Sequence, residues 1–552
     1  MSLLAALWSG GWLRNVDHAL ALSMRHARED TPDLVQAAAA LASRALAHGH
    51  GRVPLSRLGE LFAEIDAERE LPALPLLDDW LAVLAASPWV HRPETDPAAS
   101  ATDRVLVLEG DAIALRRYWD YECRLARALL ARLPDRLQLI TGGPGTGKTT
   151  QVAQLLVAFA ARSGNAAPRI LLAAPTGKAA SRLSESVRES LLAQVADGRL
   201  DGDTAARLPT DASTLHRLLG WQRNGLFRHN RDNPLHADLV VVDEASMIDL
   251  PLMTRLAEAT PPGATLVLVG DRDQLPSVET GDVLAALCDA SEQPGAPLAA
   301  QRTNLETSHR QSADMDVPVR AAAVRIGDAD AVIAGLAHDG YRGVRWHAAG
   351  DRALHEAVRE QAVPQFRALV EQPDVASALR AARAYRILCA TREGAAGSQA
   401  LNAIVGQALD PVHGGLGQFK GRLVLVTENS YRQQLFNGDI GIAWPDENGE
   451  LRVWFDGDGG PRAWLPAALP AHEPAFALTV HKSQGSEFDR VFLALPERGA
   501  RVLSRELLYT GLTRCRQEVL LWASEPALRE AVARRAQRWS GLAARLSPST
   551  AG

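Results

Sequence analysis

"QLITGGPGTGKTTQVA" spans residues 138–153 and decides the fold of this 552-residue chain. It contains the phosphate-loop pattern Gly142-x-x-x-x-Gly147-Lys148-Thr149 without a mismatch. Apolar residues at 137–140 precede it, and apolar residues at helical spacing follow it. A strand, a glycine-rich loop and a helix in this order predict an α/β domain that binds a nucleoside triphosphate.

The residue types in the loop suit phosphate chemistry. Glycines let backbone N–H groups converge on phosphate oxygens, and the following helix adds its positive end. Lys148 is expected to neutralise the β- and γ-phosphates, and the Thr149 hydroxyl to hold Mg²⁺. The predicted nucleotide-binding residues are Gly142, Gly143, Pro144, Gly145, Thr146, Gly147, Lys148, Thr149 and Thr150.

Composition restricts the class of protein. With 47% apolar residues, 22% charged residues and no apolar run long enough to span a bilayer, the chain is typical of a protein without a membrane role. Four widely spaced cysteines favour a cytoplasmic location and argue against a zinc site. The net charge of −6 argues against a broad basic coat but leaves room for a local nucleic-acid groove. The histidines at 48 and 50 fit a turn after an Ala-rich helix better than a metal site.

Apolar patterning divides the chain into three parts. Residues 1–105 are Ala/Leu-rich and predicted to be helical. Continuous apolar runs then predict buried parallel strands, at 137–140, 170–174, 239–242 and 266–269, and in a second set at 386–390, 476–480, 490–495 and 518–522. Residues of about 218–238 fit an inserted hairpin, and the Gly-rich stretch of about 415–470 fits a small β-barrel insertion.

Polar residues follow two of these predicted strands. Asp243 and Glu244 come directly after the strand at 239–242, at the strand end where ligands of parallel sheets bind. Asp243 is expected to coordinate Mg²⁺ and Glu244 to polarise the attacking water; the alternative is that both only cap the next helix. Gln274 follows the next strand and is a candidate sensor of the γ-phosphate.

Other phosphate-loop classes fit less well. A GTPase needs Asn-Lys-x-Asp for guanine, which does not occur in this sequence. A transporter ATPase needs a Ser-Gly-Gly signature between the loop and the acidic pair, whereas the one Ser-Gly-Gly here lies at residues 9–11.

Seven sequence blocks resemble, in order, the motifs of superfamily-one DNA helicases. They are AAPTGKAASRL (173–183), STLHRLLG (213–220), VVVDEASMID (240–249), VGDRDQLPSV (269–278), LETSHRQS (305–312), LTVHKSQGSEFDRV (478–491) and LLYTGLTRCR (507–516). Their wording resembles the 5′-to-3′ branch, and within it the RecD family of exodeoxyribonuclease V subunits, over residues 106–525. The resemblance implies α/β architecture with two RecA-like P-loop lobes, at 106–295 and 296–552, and parallel sheets. It also implies a helical, partner-docking N-terminal domain at 1–105 and an SH3-like β-barrel insertion.

The resemblance also implies roles for residues of both lobes. Arg310 and Arg514 resemble the family's arginine fingers, and Glu487 resembles its ribose contact, whereas Arg516 is expected at the surface. The implied single-stranded DNA contacts are Pro175, Thr176, Thr214, His216, Thr479, His481, Lys482 and Ser483. Tyr431 and Phe436 are expected either to stack on bases or to be core aromatics.

The function implied is an ATP- and Mg²⁺-dependent 5′-to-3′ DNA helicase that works with RecB-like and RecC-like subunits in double-strand end repair. No nuclease constellation follows the helicase motifs, so the nuclease is expected in a partner. A stand-alone RecD-like helicase and a catalytically idle scaffold are the alternatives. The sequence departs from the family in one respect, because residues 116–136 lack the glutamine that reads adenine.

Overall fold

The structure is a computed structural model. It describes residues 2–66, 68–94, 104–162, 168–307, 317–337, 343–415, 417–430, 432–457, 459–497 and 502–547. Two predicted site residues, Arg310 and Tyr431, lie outside these ranges. Within the described ranges, no helix has both the length and the apolar character needed to cross a bilayer.

The N-terminal region is mainly helical, as predicted, and also contains a small sheet. Its helices are α1 (Leu3–Ser9), α2 (Asn15–Ala27), α3 (Asp33–Leu46), α4 (Leu58–Ile65) and α5 (Leu77–Ala86). Its strands are β1 (Val53–Pro54), β2 (Val90–His91), β3 (Leu106–Glu109) and β4 (Ala112–Leu115), in the order β1-β4-β3-β2. Trp12, Phe62 and Trp80 are buried in its core. Because β3 and β4 pair within this sheet, the N-terminal unit extends through Leu115, past the predicted boundary at residue 105.

The first lobe is a six-stranded parallel sheet between helices. Its helices are α6 (Arg116–Leu130), α7 (Lys148–Arg162), α8 (Gly177–Ala196), α9 (Gly202–Arg207), α10 (Leu215–Leu218), α11 (Leu250–Ala259) and α12 (Val283–Glu292). Its strands are β5 (Leu137–Gly142), β6 (Ile170–Ala174), β7 (Ala212–Thr214), β8 (Leu239–Val242), β9 (Thr265–Gly270) and β10 (Arg302–Leu305), in the order β10-β5-β9-β8-β6-β7. The predicted strands at 239–242 and 266–269 are buried throughout, as expected for a sheet covered on both faces. The edge strand β10 lies beyond the predicted lobe boundary at residue 295.

The second lobe is built on a five-stranded parallel sheet. Its helices are α13 (Val317–Ile326), α14 (Ala329–Leu336), α15 (Asp351–Ala357), α16 (Val363–Val370), α17 (Val375–Ala382), α18 (Ser398–Leu409), α19 (Arg505–Thr513) and α20 (Glu525–Ala533). The last helix, α21 (Leu542–Leu546), falls within the predicted bounds of this lobe but packs in the core of the first lobe. Its sheet strands are β11 (Val344–His347), β12 (Tyr385–Cys389), β18 (Ala477–Thr479), β19 (Phe488–Ala494) and β20 (Cys515–Trp522), and the insertion before β18 supplies β13 (Leu423–Val426), β14 (Ile440–Pro445), β15 (Leu451–Phe455), β16 (Arg462–Trp464) and β17 (His472–Pro474). The parallel order is β11-β20-β19-β12-β18. All four predicted strand segments of this lobe overlap sheet strands.

The insertion is an antiparallel sheet in the order β16-β15-β14-β13-β17. Its own small core includes Val424, Val453 and Phe455. In this order β16 and β17 lie at the two edges of the sheet. The description of the insertion as an SH3-like barrel stays a prediction. The insertion also contacts the first lobe, because Phe436 packs closely against Gly177 at the start of α8.

In the first lobe's predicted hairpin, one antiparallel bridge joins Trp221 to Phe227.

The C-terminal segment, residues 534–547, leaves the second lobe and returns to the rest of the molecule. The Trp539 ring stacks on His50, with ring centroids 4.2 Å apart, and its backbone N–H donates to His50 Nδ1 at 3.1 Å. Arg545 then forms an ion pair with Glu109 at 2.8 Å. The histidine turn after α3 is therefore a docking site for this segment.

Candidate nucleotide-binding and catalytic site

The phosphate loop connects β5 to α7, as predicted. Gly145 and Gly147 have φ values of 76° and 85°, a region that favours glycine, and α7 begins at Lys148. The Lys148 ammonium donates to the carbonyl oxygens of Gly142 at 2.7 Å and Gly143 at 2.9 Å. The Lys148 ammonium thus lies against the backbone of the phosphate loop.

A cleft of about 610 Å³ lies between the two lobes at this loop. The first lobe lines it with phosphate-loop residues, the acidic pair after β8 and one face of α8. The second lobe contributes Glu487 and Arg514. Predicted site residues that line the cleft are Pro144, Gly145, Gly147, Lys148, Thr149, Thr150, Asp243, Glu244, Gln274, Glu487 and Arg514.

The acidic pair lies where β8 ends. Glu244 adopts a left-handed conformation with φ of 52°, and its backbone N–H donates to Asp243 Oδ1 at 2.8 Å. Burial and the neighbouring Glu244 carboxylate raise the pKa of Asp243 above its ordinary value, and Lys148 opposes this rise. A cation between the phosphates and Asp243 would favour its ionised form.

The residues present fit Mg²⁺ bound together with a nucleotide. No group of three or more His, Cys, Asp or Glu side chains within the described residues is arranged to hold a metal by itself. Mg²⁺ in nucleotide sites usually takes one or two protein oxygens, several waters and the phosphates. Thr149 and Asp243 line one cleft and would provide those two protein oxygens.

A buried polar network joins the lobes behind the acidic pair. Arg514 donates through Nη2 to Gln274 Oε1 at 2.9 Å, and Gln274 donates to Asp271 at 3.1 Å. The hydroxyl of Tyr509, on α19, also donates to Asp271 at 3.0 Å and lies close to Gly143 of the phosphate loop. Burial lowers the pKa of Arg514, whereas burial and Asp271 raise that of Tyr509. The predicted finger Arg514 and sensor Gln274 are therefore directly bonded.

Glu487 pairs with an arginine of each lobe. It forms an ion pair with Arg182 of α8 across the cleft, and another with Arg516 at 3.2 Å. Its side chain is 8% exposed. Arg516 lies at the surface, as expected, but it also holds Glu487.

The predicted DNA contacts of the first lobe lie at two helix starts. The hydroxyl of Thr176 accepts from Ala179 N–H and caps α8, and that of Thr214 caps α10. Pro175 is half-buried beside the first cap, and His216 is exposed beside the second. Backbone N–H groups at helix starts suit phosphodiester oxygens.

The predicted contacts of the second lobe differ in accessibility. Thr479 and His481 are half-buried, and Lys482 is partly exposed and forms an ion pair with Glu473 at 2.5 Å. Ser483 is fully buried, and its hydroxyl donates to the Val480 carbonyl at 2.7 Å. The prediction that the Ser483 side chain contacts DNA therefore disagrees with its packing.

Sequence reasoning missed three residues of this region. Arg182 lines the cleft, Tyr509 links it to the phosphate loop, and Lys178 lies against the insertion. Burial lowers the pKa of Lys178 to about 7, and Asp439 of the insertion opposes the shift. All three lie inside blocks that mark the helicase motifs, but the blocks gave no sign of their partners.

The cleft combines the phosphate loop and the acidic pair of one lobe with an arginine of the other, an arrangement typical of two-lobed P-loop helicases. Family models match an AAA domain at residues 126–280, a UvrD-like helicase C-terminal domain at 474–522, and the N-terminal domain of RecBCD enzyme subunit RecD at 9–113. The chain belongs to the RecD family. It is 38% identical to RecBCD enzyme subunit RecD of Mycobacterium tuberculosis (strain ATCC 25618 / H37Rv), covering 95% of this chain and 93% of that protein.

Two further matches extend this comparison. RecBCD enzyme subunit RecD of Mycolicibacterium smegmatis is 39% identical, covering 94% of this chain and 95% of that protein. The ATP-dependent RecD2 DNA helicase of Deinococcus radiodurans is 35% identical, covering 72% of this chain but 48% of that protein. Among solved structures, Bacteroides Pif1 bound to single-stranded DNA matches with a TM-score of 0.35 and 17% identity, covering 72% of this chain and 91% of that one.

Proposed function

We propose that the protein is an ATP-driven 5′-to-3′ DNA helicase that works as the RecD-type subunit of a helicase–nuclease processing double-strand DNA ends. The observation that carries this proposal is the composition of one cleft. Lys148, Asp243 and Glu244 of the first lobe line it together with Arg514 of the second. Hydrolysis in such a cleft changes contacts on both lobes at once.

Each cleft residue has a distinct task in hydrolysis. Lys148 exchanges its loop carbonyl partners for the β- and γ-phosphates, and Glu244 orients the attacking water. Mg²⁺, when bound by Thr149 and Asp243, supplies neutralisation of phosphate charge. Arg514 compensates the charge that develops on the γ-phosphate. Arg310 is the second proposed finger.

The route from hydrolysis to motion runs through Leu275, the residue after Gln274. Its N–H donates to the Thr510 hydroxyl at 2.9 Å, and its carbonyl accepts from Gln484 at 3.0 Å. Both partners belong to the second lobe. A displacement of Gln274 at the γ-phosphate therefore moves the second lobe relative to the first, and with it the DNA contacts that each lobe holds.

Single-stranded DNA is proposed to pass over the starts of α8 and α10 and over the short 3-10 turn at His481–Ser483, which follows β18. The side chains proposed to contact it are all at least partly exposed: Pro175, Thr176, Thr214, His216, Thr479, His481 and Lys482. Phe436 lies against Gly177 next to this track, where its ring is within reach of a base. The 5′-to-3′ polarity rests on the motif resemblance.

The length of the relatives supports a subunit with RecB-like and RecC-like partners. The chain spans 93% of a RecBCD enzyme subunit RecD but 48% of the ATP-dependent RecD2 DNA helicase. The nuclease of the assembly is accordingly assigned to a partner chain. A stand-alone helicase remains the second candidate because the RecD2 match covers 72% of this chain.

Lys148→Gln tests the ATPase part of the proposal. Loss of the ammonium removes the charge that neutralises the phosphates, so DNA-stimulated ATP turnover should fall by about 10²-fold or more. Arg169→Gln is the matched control, since Arg169 lies on the same lobe in an exposed ion pair with Asp238. Near-normal turnover in the Lys148 variant would overturn the assignment of this cleft.

Co-purification and unwinding assays test the remainder. The protein should co-purify from its native host with a RecB-like and a RecC-like chain, and the isolated chain should unwind a duplex with a 5′ tail but not one with a 3′ tail. A fully active, monodisperse single chain would favour the stand-alone helicase. Unwinding from 3′ tails alone would contradict the proposed polarity.

A further inference from the structure

Arg182 is a charged residue of the cleft to which the hydrolysis scheme gives no task. It lies on the face of α8 that forms the cleft wall, together with Ala179, Leu183 and Ser186. This spacing puts the four side chains on one side of the helix. The cleft side of α8 therefore presents a permanent positive charge near the acidic pair.

The partner of Arg182 belongs to the other lobe. Its guanidinium is bonded to Glu487, whose carboxylate is also held by Arg516 at 3.2 Å. The side chain of Glu487 is 8% exposed and that of Arg182 is 36% exposed. Because the Glu487 carboxylate is largely shielded from water, the pair is stronger than one between two exposed side chains and can bias the separation of the lobes.

The surroundings of Arg182 show that it also faces the hydrolysis site. Burial lowers the pKa of Arg182, and the carboxylates of Glu244 and Asp243 oppose that shift because they lie within electrostatic reach. Glu185 opposes it as well. The guanidinium thus lines the same cleft as the acidic pair of its own lobe and is bonded to a carboxylate of the other lobe.

We propose that Arg182 and Glu487 form an interlobe latch that holds the cleft closed around the nucleotide. Arg182 is then a positioning residue: it acts on ATP through the lobe that Glu487 belongs to. Because Glu487 lines the same cleft as Lys148, the pair can couple the separation of the lobes to nucleotide binding.

The latch makes a specific kinetic prediction, which rests on the proposed ATPase function. Without the latch, the closed arrangement is less populated, and the apparent affinity for nucleotide falls in proportion to that population. Arg182→Gln should raise the KM for ATP about fivefold and weaken binding of a fluorescent ATP analogue equally. The kcat at saturating ATP should stay within about twofold, because nucleotide binding then supplies the closure.

A double-mutant cycle separates a latch from two independent contacts. Arg182→Gln, Glu487→Gln and the double variant are compared, and the double variant should bind ATP no more weakly than the weaker single variant. Arg182→Lys, which keeps the charge, should recover most of the affinity. Arg188→Gln is the control, since Arg188 lies on the same helix with a side chain 55% exposed.

Three outcomes would overturn the latch. An unchanged KM in a folded Arg182→Gln variant would show that the pair does not bias closure. A kcat loss of more than about tenfold at unchanged KM would place Arg182 at the reacting atoms instead. Additive effects in the cycle would mean that the two residues act separately. Wild-type turnover that requires Lys148 establishes the ATPase in each case, so failure of the latch and failure of the proposed function remain distinguishable.

Discussion

Arg514→Ala should abolish most ATP turnover while leaving the protein folded. Arg514 follows α19 and is buried at 2% exposure. Besides its bond to Gln274, its guanidinium donates to the backbone carbonyls of Ser486 and Thr510, both at 3.3 Å. These bonds fix the direction of the guanidinium without using a carboxylate, so its charge remains available to the phosphate.

The expected magnitude has a catalytic and a structural part. An arginine finger contributes about 10³-fold or more to the rate, which corresponds to about 4 kcal/mol of transition-state stabilisation. Removing the side chain leaves the Gln274 oxygen without its donor, at a cost of roughly 1–3 kcal/mol in the free energy of unfolding. Burial lowers the pKa of Arg514, which means that holding its charge there costs free energy. Alanine carries no charge and removes this cost, which offsets part of the free energy lost with the hydrogen bonds. The variant should therefore lose more in the rate of ATP turnover than in the free energy of unfolding.

Three measurements on the same variant test this reasoning. ATP turnover with single-stranded DNA should fall by about 10³-fold, the affinity for a fluorescent ATP analogue by much less, and the unfolding free energy by about 3 kcal/mol or less. Arg529→Ala is the control, because Arg529 is an exposed arginine of the same lobe that pairs with Asp330. A folded Arg514→Ala variant with more than a tenth of wild-type turnover would refute the role of finger.

Three other perturbations have defined outcomes. Gly143→Ala places a Cβ 2.8 Å from the Tyr509 hydroxyl, so this variant should turn over ATP more slowly. Adding Tyr509→Phe removes the hydroxyl and should restore part of the ATP turnover. A double variant as slow as Gly143→Ala alone would contradict the contact. Trp539→Ala removes the ring stacked on His50 and should lower the free energy of unfolding, measured in urea, by about 3–5 kcal/mol. A decrease of less than about 1 kcal/mol would mean that the C-terminal segment is not docked. Burial lowers the pKa of His481 from 6.5 to about 4, so its contribution to stability is complete above pH 6.5 and is lost as the pH falls towards 4. His481→Asn should therefore weaken the dependence of the free energy of unfolding, measured in urea, on pH between 6.5 and 4. The same pH dependence in the variant and the wild type would contradict the burial of His481.

The parts of the fold that could be predicted are those that local patterns determine. The apolar run at 239–242 can only be satisfied inside a sheet covered on both faces, so a buried strand and its carboxyl-end acids followed from the sequence. The phosphate loop was equally local, since its glycines and Lys148 are contiguous.

The lobe boundaries were less predictable because partners are not encoded locally. Strand β10 reads Arg302–Leu305, with two exposed polar residues and no apolar run, yet it pairs in parallel with β5. Strands β3 and β4 have apolar sequences that fit any sheet, and only their pairing with β1 and β2 assigns them to the N-terminal unit. A hydrophobic pattern predicts burial but not which neighbour provides it.

Glu487 shows the same limit within the site. A ribose contact and an interlobe latch both require a carboxylate held at the rim of the cleft, so the sequence motif is the same for either role. What separates them is a guanidinium 305 residues away in the chain, on a helix of the other lobe. The motif block that contains Arg182 indicates that this residue belongs to the helicase core. The partner of its guanidinium becomes evident only in the folded structure, where the two lobes face each other across the cleft. Coupling between lobes is a property of such distant pairs, which is why short motifs predicted residues that line the cleft but not the proposed latch across it.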